Sequence, residues 1–121
     1  MKVVIAGGGK IGEILCHELF NEGYDIVLIE NKERVLDKLI NKYDITGLVG
    51  RAENYDDLSE AGVATADIFI AVTPEDEINM LACMIARKLG AKHTIARVRN
   101  PNYNKHLNFF AKEMGLSMIV N

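Results

Sequence analysis

The chain carries the glycine-rich stretch Gly7-Gly8-Gly9-Lys10-Ile11-Gly12 directly after a short apolar run, Val3-Val4-Ile5-Ala6. Its spacing, G-x-G-x-x-G, is typical of a strand-turn-helix unit that holds the diphosphate of a dinucleotide. In such a unit Gly7 permits the tight turn, Gly9 lets the backbone approach the phosphates, and Gly12 lets helix and strand pack closely. The amides and the dipole at the helix start attract the anion, so no charged side chain is needed.

An acidic residue, Glu30, ends the next apolar run, Asp25 to Ile29. Its spacing along the sequence from the glycine loop is that of a carboxylate that accepts hydrogen bonds from the adenosine ribose. The same charge repels a 2′-phosphate, so NAD is preferred over NADP. A solvated carboxylate at a strand end is the alternative for Glu30, but the glycine loop favours the ribose role.

Composition indicates one globular domain over residues 1–121, with 49% hydrophobic and 26% charged residues. The net charge of −3 comes from interleaved signs, without the basic stripe that a nucleic-acid partner requires. The chain has no signal-like segment and no apolar run of membrane-spanning length. We therefore expect a soluble, cytoplasmic protein that does not insert into the membrane.

The residues that commonly carry catalysis or bind metals are scattered along the chain. Cys16 and Cys83 both fall in predicted helices among apolar neighbours, which predicts free, buried thiols. The histidines have no ligand spacing, and neither of the two serines, Ser59 and Ser117, has a histidine beside it in sequence. We predict no catalytic residue and no metal site. The histidines are His17, His93 and His106.

Apolar periodicity predicts six strands that alternate with helices. Right-handed crossovers then give an α/β fold, a Rossmann-like doubly wound parallel sheet in the order 3-2-1-4-5-6 with helices on both faces. This order brings Thr73 beside Gly7, and the fold uses the whole chain. The predicted strands cover 3–6, 25–30, 45–49, 67–72, 94–99 and 116–120. The predicted helices run from the glycine turn to 22, then over 32–43, 55–61, 73–89 and 101–114.

Three further residues have two interpretations each. Thr73 is predicted as the N-cap of the helix that Pro74 begins, or, from its place beside the glycine loop, as a ligand contact. Arg97 interrupts a buried strand, so it either pairs with an internal acid or snorkels at the sheet margin, or it contacts a ligand or subunit. Arg51 ends a strand and either flanks the adenosine or is solvated.

The long helix after Thr73 carries two apolar stripes. One is predicted to face the core, and the other either widens the core or forms a subunit interface. The predicted core stripe is Ile78, Leu81, Ala82, Ile85 and Leu89. The second stripe is Met80, Cys83 and Met84.

Several separated blocks resemble the nucleotide-binding domain of TrkA-type potassium-uptake regulators, the KTN or RCK N-terminal domain. The resemblance covers essentially the whole chain, and the last two blocks are far more specific than the glycine loop. Besides the glycine loop and Glu30, the blocks are Gly50-Arg51-Ala52, residues 66–73, Asp76-Glu77-Ile78-Asn79-Met80 and Ala96-Arg97-Val98-Arg99-Asn100-Pro101-Asn102-Tyr103.

This resemblance implies a non-enzymatic, cytoplasmic regulatory subunit that binds NAD or NADH, with ATP or ADP in relatives. It implies a homo-oligomer, a dimer or tetramer, held at the membrane by a potassium transporter or channel. The implied ligand residues are Gly7, Gly8, Gly9, Lys10, Ile11 and Gly12 for the diphosphate, Glu30 for the ribose, Arg51 and Ala52 for the adenosine, and Thr73, Pro74 and Arg97 for the far end.

The favoured mechanism is a ligand-biased conformational switch without turnover. Two other classes stay open from the residues. One is an enzyme, either the cofactor domain of an NAD-dependent dehydrogenase or an S-adenosylmethionine-dependent methyltransferase. The other is an assembly module whose cleft binds no nucleotide.

Overall fold

The strands form from short apolar segments that end in glycine or polar residues. The structure is a computed structural model, which describes residues 1–120. Several strands are a residue or two shorter than predicted, as is usual at strand ends. The strands are β1 (Lys2–Ala6), β2 (Asp25–Glu30), β3 (Thr46–Val49), β4 (Ile68–Ala71), β5 (His93–Arg97) and β6 (Met118–Val120).

The six strands are parallel and lie in the order β3-β2-β1-β4-β5-β6, which confirms the predicted topology. β1 lies between β2 and β4, so that Val3 pairs with Ile26 on one side and with Ile68 on the other. The carboxyl ends of β1, β2 and β4 therefore meet at one edge of the sheet. Ligands of such sheets bind at this edge.

Both faces of the central strands are covered. Val4 and Ala6 of β1 pack into one apolar layer, whereas Val3 and Ile5 pack into the layer on the opposite face. All four side chains are fully buried. A continuous apolar run is what a parallel strand buried on both faces requires, and β4 follows the same rule.

The α-helices are α1 (Lys10–Asn21), α2 (Glu33–Lys42), α3 (Tyr55–Glu60), α4 (Asp76–Leu89), α5 (Pro101–Asn104) and α6 (Leu107–Met114). They divide between the two faces of the sheet, as predicted. Side chains of α1 and α2 join the layer around Val3 and Ile5, and those of α3, α4 and α6 join the layer around Val4 and Ala6. None of the helices within residues 1–120 combines the length and apolar character needed to cross a bilayer.

The prediction of one continuous helix over 101–114 is wrong, because the backbone of His106 leaves the helical region at φ −131° and ψ 40°. The bend brings the rings of Tyr103 and Phe110 into edge-to-face contact, with centroids 5.2 Å apart. Residues seven apart in a straight helix are separated by about two turns and do not meet in this way. Aromatic packing accompanies the break.

The start of α4 also differs from the prediction. The helix begins at Asp76, and Glu75 rather than Thr73 occupies the N-cap position, without a side-chain cap. Thr73 instead lies in the loop between β4 and α4, and its hydroxyl reaches Asn79 at 2.7 Å. The N-cap interpretation of Thr73 is therefore wrong.

The two predicted stripes of α4 are confirmed except at Leu81. Met80 and Cys83 of the second stripe are 5% and 0% exposed within the chain's own core, so this stripe widens the core, as one of its two interpretations has it. Leu81, predicted as core, is 37% exposed. Small residues at Ala82 and Ala86 let this side of α4 lie close to the sheet, which leaves Leu81 on the outer side.

Candidate functional site

The glycine loop connects β1 to α1, and two of its glycines are required by packing. Gly7 has φ +115°, and a Cβ there would lie 2.9 Å from the carbonyl carbon of Val72. A Cβ on Gly12 would overlap the carbonyl oxygen of Gly7. Gly7 therefore makes the turn, and Gly12 allows α1 to approach the strand end, as the spacing predicts.

Gly9 differs from these two, because a Cβ built on it meets no heavy atom within 4 Å. Gly9 is the N-cap residue of α1, and its carbonyl accepts the first helical hydrogen bond from the N–H of Glu13 at 2.8 Å. The amides at positions 10–12 precede that bond and have no partner within the helix. They form a positively polarised helix end beside open space.

Glu30 lies at the end of β2 and is joined to the glycine loop. Its Oε1 accepts a 2.7 Å hydrogen bond from the N–H of Gly8, and its Oε2 accepts a 2.8 Å bond from the N–H of Lys32. A carboxylate has about four acceptor positions, so two of them stay open to further donors. The carboxylate is thus fixed in place and able to bind hydroxyl groups.

A cleft of about 360 Å³ lies at this edge of the sheet, where the loops after β1, β2, β3 and β4 meet. Seven of the predicted ligand residues line it together. They are Gly7, Gly9, Glu30, Arg51, Ala52, Thr73 and Pro74.

The other predicted ligand residues lie outside the cleft lining. Gly8 is buried beside Glu30, and Gly12 is buried beneath Gly7. Ile11 packs into the core, whereas the side chain of Lys10 is exposed. The structure therefore places none of these four side chains in the cleft lining.

Arg97 is the fifth residue outside the lining. It ends β5, and its part in the site is its backbone carbonyl, which accepts a hydrogen bond from Nδ2 of Asn79 at 2.8 Å. The structure does not bring the Arg97 side chain to the cleft. The reason is topological, because β5 is separated from β1 by β4.

Arg51 lies at the rim of the cleft and is exposed. Its guanidinium pairs with the Glu53 carboxylate at 3.2 Å, and its backbone N–H donates to the Asp57 carboxylate at 2.9 Å. Ala52 beside it is buried and presents a small apolar wall. Both interpretations of Arg51 are compatible with this position.

Sequence reasoning missed part of the cleft lining. Three of the missed residues directly follow the end of a strand. This position was the signal available in the sequence, because the chain that leaves each parallel strand emerges at the same edge of the sheet. Val35 and Ile78 come from the first turns of α2 and α4. The missed residues are Ile29, Asn31, Lys32, Val35, Gly50, Glu53, Val72, Glu75 and Ile78.

Two of the resemblance blocks bond to each other. The N–H of Asn100 donates to Asp76 at 2.7 Å, and the hydroxyl of Tyr103 donates to Glu77 at 2.8 Å. The bond to Glu77 raises the pKa of the Tyr103 hydroxyl, because the neutral phenol is the donor. The first turn of α4 and the chain after β5 therefore form one unit beside the cleft.

The cysteines are free and buried, as predicted. Burial raises the pKa of the Cys16 thiol to about 11 and that of Cys83 to about 12. Within residues 1–120, no group of three or more histidine, cysteine or acidic side chains is arranged to hold a metal ion.

The whole arrangement corresponds to a known family. The model of the TrkA-N domain matches residues 3–121. The chain belongs to the TrkA-N family. This TrkA-N domain is 34% identical over 120 residues to a Trk system potassium uptake protein TrkA homolog of Methanothermobacter thermautotrophicus. That match covers 99% of this chain and 54% of the relative, so the chain spans about half the relative's length.

Two solved structures share the fold of this TrkA-N domain. One is the TrkA-N domain of the inner membrane protein ybaL from Escherichia coli, with a TM-score of 0.86, 21% identity, and coverage of 98% of this chain and 85% of that one. The other is the GsuK channel bound to NAD, with a TM-score of 0.81, 21% identity, and coverage of 98% and 21%.

Proposed function

We propose that this TrkA-N domain binds NAD or NADH in the cleft at the carboxyl edge of its sheet. The observation that carries the proposal is the convergence of the open helix start at Gly9 with the fixed carboxylate of Glu30 and the Thr73 loop in one cleft. The diphosphate would lie on the amides at positions 10–12. The adenosine ribose would lie on Glu30, with Arg51 and Ala52 beside the base.

The biological role follows from the relatives. A curated relative is named as a potassium uptake protein, and a structure with the same fold is a channel bound to NAD. We infer that this domain is a cytoplasmic, non-enzymatic regulatory subunit that forms a homo-oligomer on a membrane potassium transporter or channel. ATP or ADP would compete for the same cleft, since a related fold has been solved with ADP.

Calorimetric titration of the protein with NAD, NADH, ADP, ATP and NADP tests the binding step. Binding of NAD or NADH is expected, with NADP weaker because Glu30 repels a 2′-phosphate. Failure of all five nucleotides to bind would overturn the proposed function. NADP binding as tightly as NAD would overturn the role of Glu30.

Regulation requires that two ligands stabilise different conformational states, since a ligand with equal affinity for both states does not shift the equilibrium between them. Small-angle scattering of the oligomer in saturating NAD, NADH or ADP measures this directly. Ligand-dependent scattering curves at constant oligomer mass are expected. Identical curves in all three ligands would contradict the switch and leave the binding site intact.

A further inference from the structure

Asn79 is a buried polar residue of α4 next to the cleft. In the described part of the chain the buried polar side chains are Asn79 and Thr94, and both are 0% exposed. Burying a carboxamide is unfavourable unless its hydrogen bonds are made. The hydrogen-bond partners of Asn79 therefore indicate which parts of the protein its side chain holds in place.

The carboxamide of Asn79 uses its full bonding capacity on two backbone segments. Its Oδ1 accepts from the N–H and the hydroxyl of Thr73, at 2.9 and 2.7 Å. Its Nδ2 donates to the carbonyl of Thr73 at 3.0 Å and to that of Arg97 at 2.8 Å. A flipped amide would place its NH2 against the N–H of Thr73, so these partners fix the orientation.

Thr73 is held by this one side chain through its N–H, its hydroxyl and its carbonyl. Thr73 lines the cleft and lies just beyond the end of β4. The Arg97 carbonyl at the end of β5 anchors the other side of the carboxamide. Asn79 thus couples the wall of the cleft to the neighbouring strand.

The two halves of the cleft depend on different strands. Glu30 follows β2, Thr73 follows β4, and the glycine loop between them follows β1. In this topology one nucleoside of a dinucleotide lies over each side of the switch point. AMP would therefore use the Glu30 half and the loop, whereas NADH would also use the Thr73 half.

We propose that Asn79 is a positioning residue for the Thr73 half of the cleft and selects for dinucleotides over mononucleotides. This inference rests on the proposed function. Asn79 reaches the ligand only through Thr73, so its loss lowers the affinity for NADH and leaves that for AMP unchanged. A purely structural role would lower stability without changing the ratio of the two affinities.

The test is calorimetry of NADH and AMP on the wild type and on Asn79→Asp, which keeps the shape but replaces the Nδ2 donor by an oxygen facing two carbonyls. We expect NADH affinity to fall at least about tenfold, with AMP affinity within about twofold. Lowering the pH should restore part of the NADH affinity of this variant, because its protonated carboxyl is again a donor.

Asn79→Ala is the second variant. It should show the same loss of NADH affinity with unchanged AMP affinity, and it adds no charge. Thr94→Val is the matched control, since it removes a buried hydroxyl that accepts from Ser117 N–H at 3.2 Å and lies outside the cleft lining. It should lower the melting temperature and leave the NADH-to-AMP affinity ratio unchanged.

The outcomes separate the two hypotheses. A wild type that binds neither NAD nor NADH overturns the proposed function and this inference with it, and if only NAD binds, NAD replaces NADH in the comparison with AMP. A wild type that binds NADH, with Asn79 variants of unchanged affinity ratio, overturns only the role of Asn79. Failure of both Asn79 variants to fold, while Thr94→Val folds, would also overturn it in favour of a structural role.

Discussion

The Oε1 atom of Glu30 accepts a 2.7 Å hydrogen bond from the backbone N–H of Gly8. Glu30 and Gly8 are 22 residues apart, and this bond joins the acid at the end of β2 to the loop after β1. The carboxylate is therefore positioned before any ribose arrives. Such preorganisation reduces the entropy that binding has to overcome.

Glu30→Gln should weaken NAD binding and reduce its preference over NADP. The neutral amide makes weaker hydrogen bonds than the carboxylate, by roughly 1 kcal/mol, so we expect a loss of about five- to tenfold in NAD affinity. Removal of the charge should lessen the repulsion of a 2′-phosphate. Calorimetry with both cofactors measures the affinity ratio.

Glu13→Gln is the matched control for this charge change, since Glu13 lies on α1 outside the cleft lining and pairs with Lys42 at 2.8 Å. It should leave both affinities unchanged. An unaltered NAD-to-NADP ratio in Glu30→Gln would contradict the ribose role.

Gly9→Ala should separate binding from folding. The added methyl meets no protein atom, and φ of −73° suits alanine, so the free energy of unfolding should change by no more than about 1 kcal/mol. The methyl would occupy the space through which the diphosphate approaches. We expect at least about a tenfold loss of NADH affinity by calorimetry, and unchanged affinity would show that the diphosphate lies elsewhere.

Gly12→Ala is the counterpart, since its Cβ would overlap the Gly7 carbonyl oxygen. The backbone has to move to relieve this overlap, which should lower the free energy of unfolding by about 2 kcal/mol or more. Urea denaturation measures this decrease. A Gly12→Ala protein as stable as Gly9→Ala would contradict the close contact of α1 with the loop.

The buried thiols predict an alkaline limit to stability. Their pKa values are about 11 and about 12 in the folded chain, against 9.0 for an accessible thiol. The folded state binds these thiol protons more tightly than the unfolded state does. The stabilisation that this gives to the folded state is complete below pH 9 and is lost as the pH rises through 11 and 12. Urea denaturation between pH 8 and 11 should show a falling free energy of unfolding.

The double variant Cys16→Ala/Cys83→Ala should flatten this alkaline decline even though it lowers stability overall. In the wild type at pH 8, a thiol reagent such as DTNB should react only after unfolding and then release two equivalents. Rapid reaction of the native protein would contradict the burial of Cys16 and Cys83.

Leu81→Glu tests assembly through the outer side of α4. Leu81 is 37% exposed, so glutamate should be tolerated by the fold. Light scattering of the wild type should give two or four times the chain mass of 13.4 kDa, and the variant should shift toward the monomer. Ile14→Glu, on the opposite face of the sheet and 49% exposed, is the control. Equal masses for both variants would contradict this surface as the interface.

The strand order was predictable because local and global signals agree. The buried strands are continuous apolar runs, and right-handed crossovers leave few other topologies. Glycine spacing also predicted which positions lack room for a side chain, since Gly7 and Gly12 are fixed by backbone contacts.

The errors arose where a side chain had two possible partners. Thr73 has the residue type of an N-cap, but its hydroxyl bonds to the buried Asn79 instead. Helical spacing in α4 places Leu81 in the core stripe, but the burial of Ala82 and Ala86 leaves Leu81 on the outer side of the helix. Such choices depend on tertiary packing, which residue types alone do not specify.

A crystal structure of the protein with NADH is the most direct test of where the dinucleotide binds. We predict the diphosphate oxygens within hydrogen-bond distance of the amides at positions 10–12, the adenosine ribose on Glu30, and the second nucleoside against Thr73. NADH bound away from the glycine loop, or bound with its ribose hydroxyls out of reach of Glu30, would contradict this account.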